Sequence, residues 1–527
     1  MSEPFLERII TEPAMTVLAQ LLARRLVVGD IVALEGDLGA GKSTFARALI
    51  RAYLANPEAE VPSPSFPILL TYDADARGDA ASPPIAHYDW YRLSDPSELD
   101  EIGFADLRAT HISLVEWPNL FPGVIDTAHL RITIAPVPAR PDARRVTMTY
   151  VGAPEAPQRL TRLAALDACV SSLADDRTDD PIVCADHMSG DASSRAYTRL
   201  TTRDGKTLVL VDSPPMPDGA PLADGRPYSQ HAKLAETLTP FLTVAAGLGT
   251  AGISAPRIVQ AHERDGTAIL EDLGTTPFDH AVRAGTYDQS RLWMAAVDTL
   301  VHLRQHITEA AVLPSWIASR PSLDLNVLTI ELSLLTDWAF ETQNGAAPRD
   351  DVRAAFFAEW VAELSGYVGE GAEFGVVLRD VHSPNLLWLP ERNGHRRVGV
   401  IDFQDALQGP WAYDLVSLLQ DARVDVDPAL ERAAFDHYCA RVADIDPQFD
   451  RSTFERDYAV LGAQRACKII GIFHRLEARD GKPSYMQHLP RVARALKHNL
   501  EHPALAQVAN WFGHAMPDYA PDSIRTR

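Results

Sequence analysis

A chain of 527 residues is longer than one ordinary hydrophobic core serves, so two to four domains are expected. Hydrophobic residues make up 46% and aromatics 8%, a folded composition; the net charge of −22 excludes broad attachment to nucleic acid or anionic lipid. No apolar run reaches the roughly 18 residues of a membrane-spanning helix and "MSEPFLERII" carries no secretory pattern, so a cytoplasmic protein with no membrane partner is expected.

In chain order, "ERIITEPAMTVLAQLLARRL" reads as amphipathic, "DIVALEG" as a buried strand and "KSTFARALIRAYL" as the helix that follows it, an α/β pattern. "IAPVPARPDARR" is a Pro- and Ala-rich break before the alternating, strand-like "VTMTYVG". "GAPEAP" then reads as a linker, which sets a domain boundary near residue 155. A helix is expected in "QRLTRLAALDACVSSL", followed by the polar "ADDRTDD". "AYTRLTT" and "TLVLVDS" are short strands joined by the hairpin turn "RDGK", and helices dominate from about residue 286. Cys169, Cys184, Cys439 and Cys467 are widely spaced with no CxxC pair, so buried reduced thiols are expected rather than zinc or disulfides.

"GDLGAGKS" matches GxxxxGK[ST] in full, between a predicted strand and a predicted helix. Glycines let such a loop turn its N–H groups onto phosphate oxygens at a helix N-terminus. The expected nucleotide contacts are Gly36, Asp37, Leu38, Gly39, Ala40, Gly41, Lys42, Ser43 and Thr44. Lys42 reaches the β/γ-phosphates and the Ser43 hydroxyl faces Mg²⁺. Asp89 ends "IAHYD", placed to act on Mg²⁺ directly or through water; a plain strand-end aspartate is the bland alternative. Glu116 follows the apolar "ISLV", where it orients an attacking water or makes a salt bridge. Ser65 keeps a hydroxyl for Mg²⁺ or the γ-phosphate, and Trp117 is read as packing near the nucleotide.

With "VPSPSF", "HYDWYRL" and "LVEWP", the motif "GDLGAGKSTF" resembles the TsaE family of P-loop ATPases in tRNA threonylcarbamoyladenosine formation, over about residues 1 to 150. Ser65 stands where that family usually has threonine. The resemblance implies ATP hydrolysis that helps threonylcarbamoyl-transferase subunits cycle, with tRNA met only through those partners.

A second constellation lies in "LRDVHSPNLLWL" and "VGVIDFQDA". Asp380, then Asn385, then Asp402 after a strand, matches the catalytic half of a protein-kinase-like fold. Asp380 is expected to take or orient the proton of a substrate hydroxyl, with Asn385 and Asp402 holding Mg²⁺ against ATP. "GDASSRAYTRL" stands where a nucleotide-covering loop belongs. "TAILEDLG" runs into a hinge whose backbone, from Glu271 to Leu273, bonds adenine. His382 and Asp405 are given supporting hydrogen bonds, and Asp414 a capping and scaffold role. Arg465, Lys468, His474, Arg475 and Lys482 either meet a lactyl carboxylate or acetamido group or form a solvated helical face.

This half resembles the aminoglycoside-phosphotransferase superfamily and, through "GDASSRAY", "LVDSPP", "LEDLG", "RDVHSPN", "IDFQDA" and "KIIGIFHRLEARDGKPSYMQHLPR", the N-acetylmuramate/N-acetylglucosamine anomeric kinases, over roughly residues 158 to 515. Two positions depart from the protein-kinase pattern. Asp212 replaces the phosphate-gripping lysine, which leaves Arg195 as the candidate grip, and Leu378 stands where histidine is common before "RD". The expected architecture is an α/β P-loop NTPase domain (1–155) followed by a bilobal protein-kinase-like α+β domain (156–527). Within the latter, the small lobe spans about 180–275 and the helical lobe about 276–515. The implied function is bifunctional: an ATPase supporting tRNA modification, and a Mg²⁺- and ATP-dependent kinase for the anomeric hydroxyl of an amino sugar. The alternatives are a non-catalytic docking module in the second half, or a kinase for an aminoglycoside, choline or homoserine.

Overall fold

The computed structural model describes residues 3–73, 83–124, 129–152, 157–176, 182–188, 195–215, 222, 224–310, 313–367 and 375–525. The linker residues 153–156, part of the polar stretch after the helix of residues 158–176, and the covering-loop residues 190–194 lie outside them. The chain divides into two compact units, Met1–Pro214 with Val259–Asp272, and Pro215–Ile258 with Leu273–Arg527.

In the first unit the opening stretch splits into strand β1 (Leu6–Thr11) and helix α1 (Glu12–Ala23), not one amphipathic segment. The β-branched Ile9, Ile10 and Thr11 favour extension, and Pro13 is tolerated only in a helix's first turn. Then come β2 (Ile31–Glu35), α2 (Lys42–Tyr53), β3 (Leu69–Tyr72), β4 (Ile85–Asp89), α3 (Glu98–Glu101), α4 (Phe104–Thr110) and β5 (Ile112–Glu116). Strands β6 (His129–Val137) and β7 (Arg140–Val151) complete a sheet of order β1-β7-β6-β2-β5-β4-β3. The four central strands are parallel. The Pro-rich break is the end of the β6–β7 hairpin, with a register shift at Pro136/Val137 where proline cannot donate to the ladder. Period-two alternation sends Val32 and Leu34 into the core beneath α1 and α2, and Ile31 and Ala33 into a second core. In that second core Phe104 meets Tyr88 and Trp90 edge-on, each at 5.3 Å.

Helix α5 (Gln158–Asp176) and strands β8 (Ile182–Met188), β9 (Ala196–Thr202), β10 (Thr207–Asp212), β11 (Ile258–His262) and β12 (Thr267–Glu271) follow. They form a five-stranded sheet of order β11-β12-β10-β9-β8. The "RDGK" turn closes β9 onto β10 with Gly205 at positive φ. Leu160, Leu163 and Leu166 of α5, with Leu200, Leu210 and Ile269 of this sheet, share one apolar core with α1 and α2.

The second unit is mainly helical, with Asp288, Asp324 and Asp450 accepting N-cap bonds at three of its helices. The helix Arg451–Ala478 runs against the helix Leu325–Leu334, and any Cβ on Gly471 would meet the Leu334 carbonyl carbon at 2.2 Å. Two short antiparallel pairs, Gly375–Val377 with Leu407–Gly409 and Leu386–Trp388 with Val398–Val400, frame the stretch holding Asp380, Asn385 and Asp402. Among the described residues no helix is long and apolar enough to cross a membrane.

Candidate active sites

The first site forms where parallel strands end together. Asp89 and Glu116 are register partners at the ends of β4 and β5, and Leu34 of β2 also pairs with Glu116. The chain leaves β2 through Gly36, whose φ of 149° and 2.3 Å approach of a Cβ to the Ile134 carbonyl oxygen admit glycine only. Asp37, Leu38 and Gly39 form an exposed tip; Ala40 N–H closes it on the Asp37 carbonyl at 3.1 Å, and α2 starts from Gly41 in the left-handed region. Lys42 Nζ donates to the carbonyls of Gly36 (2.8 Å) and Asp37 (3.0 Å), 3.7 Å from the Trp117 ring centre. Burial holds the Lys42 ammonium below its ordinary range, opposed by the charges of Glu116, Asp89 and Asp37. Thr44 follows in the first turn of α2.

Glu116 is the hub. One oxygen accepts from the Ser43 hydroxyl at 2.9 Å, and the other lies 3.1 Å from His87 Nε2. Asp89 is buried, accepts from Tyr91 N–H at 3.0 Å, and is raised above the ordinary carboxylate range mainly by burial. Ser65 sits in the exposed Pro64–Pro67 turn and makes no hydrogen bond among the described residues. His87 escaped the sequence reading; its one trace is a polar residue at an inward position of a wholly buried strand.

The second site hangs between Val377 and Leu386. Leu378 and Arg379 donate their N–H groups to the two Asp414 oxygens at 2.7 and 2.9 Å. Asp414 therefore braces the catalytic loop from inside its helix, Ala412–Leu419, whose N-cap is Trp411. Burial pushes the Asp414 carboxyl up to about 7, against the pull of those two donors. Arg379 adopts φ 80° and is almost wholly buried. Its guanidinium donates to the Ala232 carbonyl and pairs with Glu331, which also takes Lys468 at 2.9 Å and Gln464 at 3.0 Å. Burial opposes the charge on Glu331, yet Lys468 and Arg379 hold its pKa down to about 2. The motif spacing carries no trace of this cluster; the available clue was a lone acid inside the apolar "LTIELSLL".

Asn385 Nδ2 donates to the Asp380 carbonyl at 3.0 Å and lies 3.3 Å from Asp402 Oδ2. Asp402 is itself at φ 60°, with Gln404 donating to its other oxygen at 2.7 Å. Burial raises the Asp380 carboxyl, but Lys468, His382, Arg465 and Arg379 outweigh it and hold the group below its ordinary value. His382 lies 3.2 Å from Asn385 and is lowered by burial. Asp405 accepts from Ala235 N–H at 2.6 Å. Glu271 ends β12, Leu273 packs with Leu387 and Leu389, and the partition between the two units falls between them. Arg195 is buried beside β9. Asp212 faces arginines: Arg162 Nε donates to it at 2.6 Å and Arg25 pairs with its other oxygen.

Both sites suit Mg²⁺. Asn385 Nδ2 is spent on protein acceptors, which leaves its amide oxygen as a hard donor, and the Asp402 carboxylate that accepts from Asn385 and Gln404 is a second hard oxygen group beside it. In the first site the Ser43 hydroxyl is the donor, with Glu116 and Asp89 beside it. Among the described residues no group of three or more His, Cys, Asp or Glu could hold a metal ion.

Comparison with known proteins finds one family for each site. The model for "Threonylcarbamoyl adenosine biosynthesis protein TsaE" matches residues 9–145, and that for "Phosphotransferase enzyme family" matches residues 187–451. An N-acetylmuramate/N-acetylglucosamine kinase of Caulobacter vibrioides is 36% identical over 343 residues, 63% of this chain and 91% of that protein. A TsaE protein of Rickettsia prowazekii is 32% identical over 116 residues, 22% of this chain and 76% of that protein. The chain belongs to both families. The TsaE part carries the Lys42–Ser43–Glu116 site and the phosphotransferase part carries the Asp380–Asn385–Asp402 site. Both families are enzymes that use ATP.

Proposed function

We propose that the chain is bifunctional: an ATPase that works with tRNA threonylcarbamoyl-transferase subunits in forming threonylcarbamoyladenosine at position 37 of tRNA, and a kinase for the anomeric hydroxyl of N-acetylmuramate or N-acetylglucosamine. One observation carries the kinase reading. Asp380 is held ionised in a loop whose Asn385 ties its carbonyl to Asp402, so a base and a pair of metal donors are joined in one site.

In this reading Asp380 accepts the proton of the anomeric hydroxyl as its oxygen bonds to the γ-phosphorus of ATP, and the bond from that phosphorus to the β–γ bridging oxygen breaks to leave ADP. Asn385 and Asp402 would hold Mg²⁺, which would neutralise charge on the phosphate oxygens. Asp414 keeps the loop backbone in place, and Lys468 and Arg379 keep Asp380 deprotonated.

For the TsaE part, Lys42 and the Ser43 hydroxyl face the nucleotide phosphates, and Glu116 with His87 positions water for hydrolysis. Asp89 and Ser65 are assigned to the metal side of that site. Backbone groups from Glu271 to Leu273 are assigned to adenine.

An anomeric phosphate blocks ring opening, so its product loses reducing-sugar behaviour. On incubation with ATP and each amino sugar, the ADP released above the sugar-free background should equal the reducing ends lost. Reducing ends that persist while that sugar-dependent ADP forms would overturn the anomeric assignment.

A further inference from the structure

Arg465 lies in the helix Arg451–Ala478 and is 5% exposed. Its helix neighbours Gln464 and Lys468 are both committed to Glu331. Arg465 differs. Among the described residues its guanidinium makes no hydrogen bond and no ion pair. An arginine cannot shed its proton, so a buried and unpaired guanidinium calls for an anion from elsewhere.

Its position is fixed by its helix: Lys468, three residues on, brings its ammonium 3.4 Å from the hydroxyl of Tyr413, next to the Asp414 that holds the loop. The Arg465 charge acts there on Asp380, His382, Tyr413 and Asp414. Asp414 cannot be its anion, because both of that carboxylate's oxygens are taken by loop N–H groups. The Asp380 carboxylate has no hydrogen bond among the described residues either, and the two side chains do not form an ion pair. The Arg465 guanidinium and the Asp380 carboxylate, opposite in charge, thus stand within electrostatic reach without being taken by each other. A sugar that presents its hydroxyl to Asp380 can turn an anionic group from elsewhere on its ring to Arg465.

We propose that Arg465 is a specificity-determining residue that receives the lactyl carboxylate of N-acetylmuramate, the group that N-acetylglucosamine lacks. This rests on the sugar-kinase reading above and deepens it. A planar guanidinium binds a carboxylate through paired N–H donors, which a lysine ammonium reproduces only in part.

The test compares kcat/KM for both sugars in the full chain carrying Arg465→Gln or Arg465→Lys. The ratio of muramate to glucosamine activity should fall about 30-fold or more in Arg465→Gln, mostly through KM, as for loss of a buried charge pair. Arg465→Lys should recover part of it. Equal losses on both sugars, or an unchanged ratio, would overturn the assignment. Residual glucosamine turnover reports folding, and if Arg465→Gln fails to fold, Arg465→Lys decides alone: an unchanged ratio there overturns the proposal. A wild-type chain that phosphorylates neither sugar would instead overturn the kinase reading and this inference with it.

Discussion

At the residue scale, two carboxylates show what burial among cations does. Charges around Asp380 hold it below the ordinary carboxylate value despite burial. A base with a depressed pKa stays deprotonated on acidification, so this group should impose no loss of kcat/KM for phosphotransfer until the pH falls below about 4. Asp380→Asn should lower the sugar-phosphorylation kcat by roughly 10²–10⁴, read as ADP release above the sugar-free background, and leave the sugar-independent ATPase intact. Glu331 acts on stability. Its pKa falls from 4.5 unfolded to about 2 folded, so its contribution is complete above about 4.5 and is lost as pH falls toward 2. Glu331→Gln strands Arg379 and Lys468 and should cost about 3–5 kcal/mol by urea denaturation near neutral pH, a deficit that narrows in acid. Asp380 was legible because its partner Asn385 is five positions away. Glu331 was not, because Arg379 lies 48 residues from it and an isolated acid in a helix has no motif.

At the element scale, β10 ends where a protein kinase carries its phosphate-gripping lysine, and here Asp212 is a strut. It joins the five-stranded sheet to Arg162 of α5 and to Arg25 at the end of α1. The role of Asp212 here depends on Arg25, 187 residues away. Asp212→Lys therefore should not restore a phosphate grip. It sets a third cation beside two arginines and should lower the melting temperature more than Asp212→Asn does, with no gain in kcat. The first strand shows the reverse problem. Leu6–Thr11 reads as part of a helix until β7 offers it an antiparallel partner from Ala143 to Met148. The catalytic-loop strands, three residues each, were too short for any periodicity.

At the scale of the whole molecule, the Lys42 site and the Asp380 site fall in different compact units. Two independent nucleotide sites predict that a non-hydrolysable ATP analogue titrates to two per chain by calorimetry. Lys42→Ala should reduce that to one, abolish the sugar-independent ATPase and retain sugar phosphorylation. A fall to zero would mean a shared site. What the amino-acid sequence determined alone was the pair of chemistries, because a phosphate loop and a D-x-x-x-x-N loop are built from neighbours in the chain, whose spacing survives without a fold. What only the tertiary structure decided was which distant side chains meet them: Glu331 beneath Arg379, Asp212 between two arginines, and Arg465, which among the described residues has no hydrogen-bond or ion-pair partner. Such contacts arise from helix and sheet packing across many tens of residues, and packing leaves no local spacing for a sequence to display.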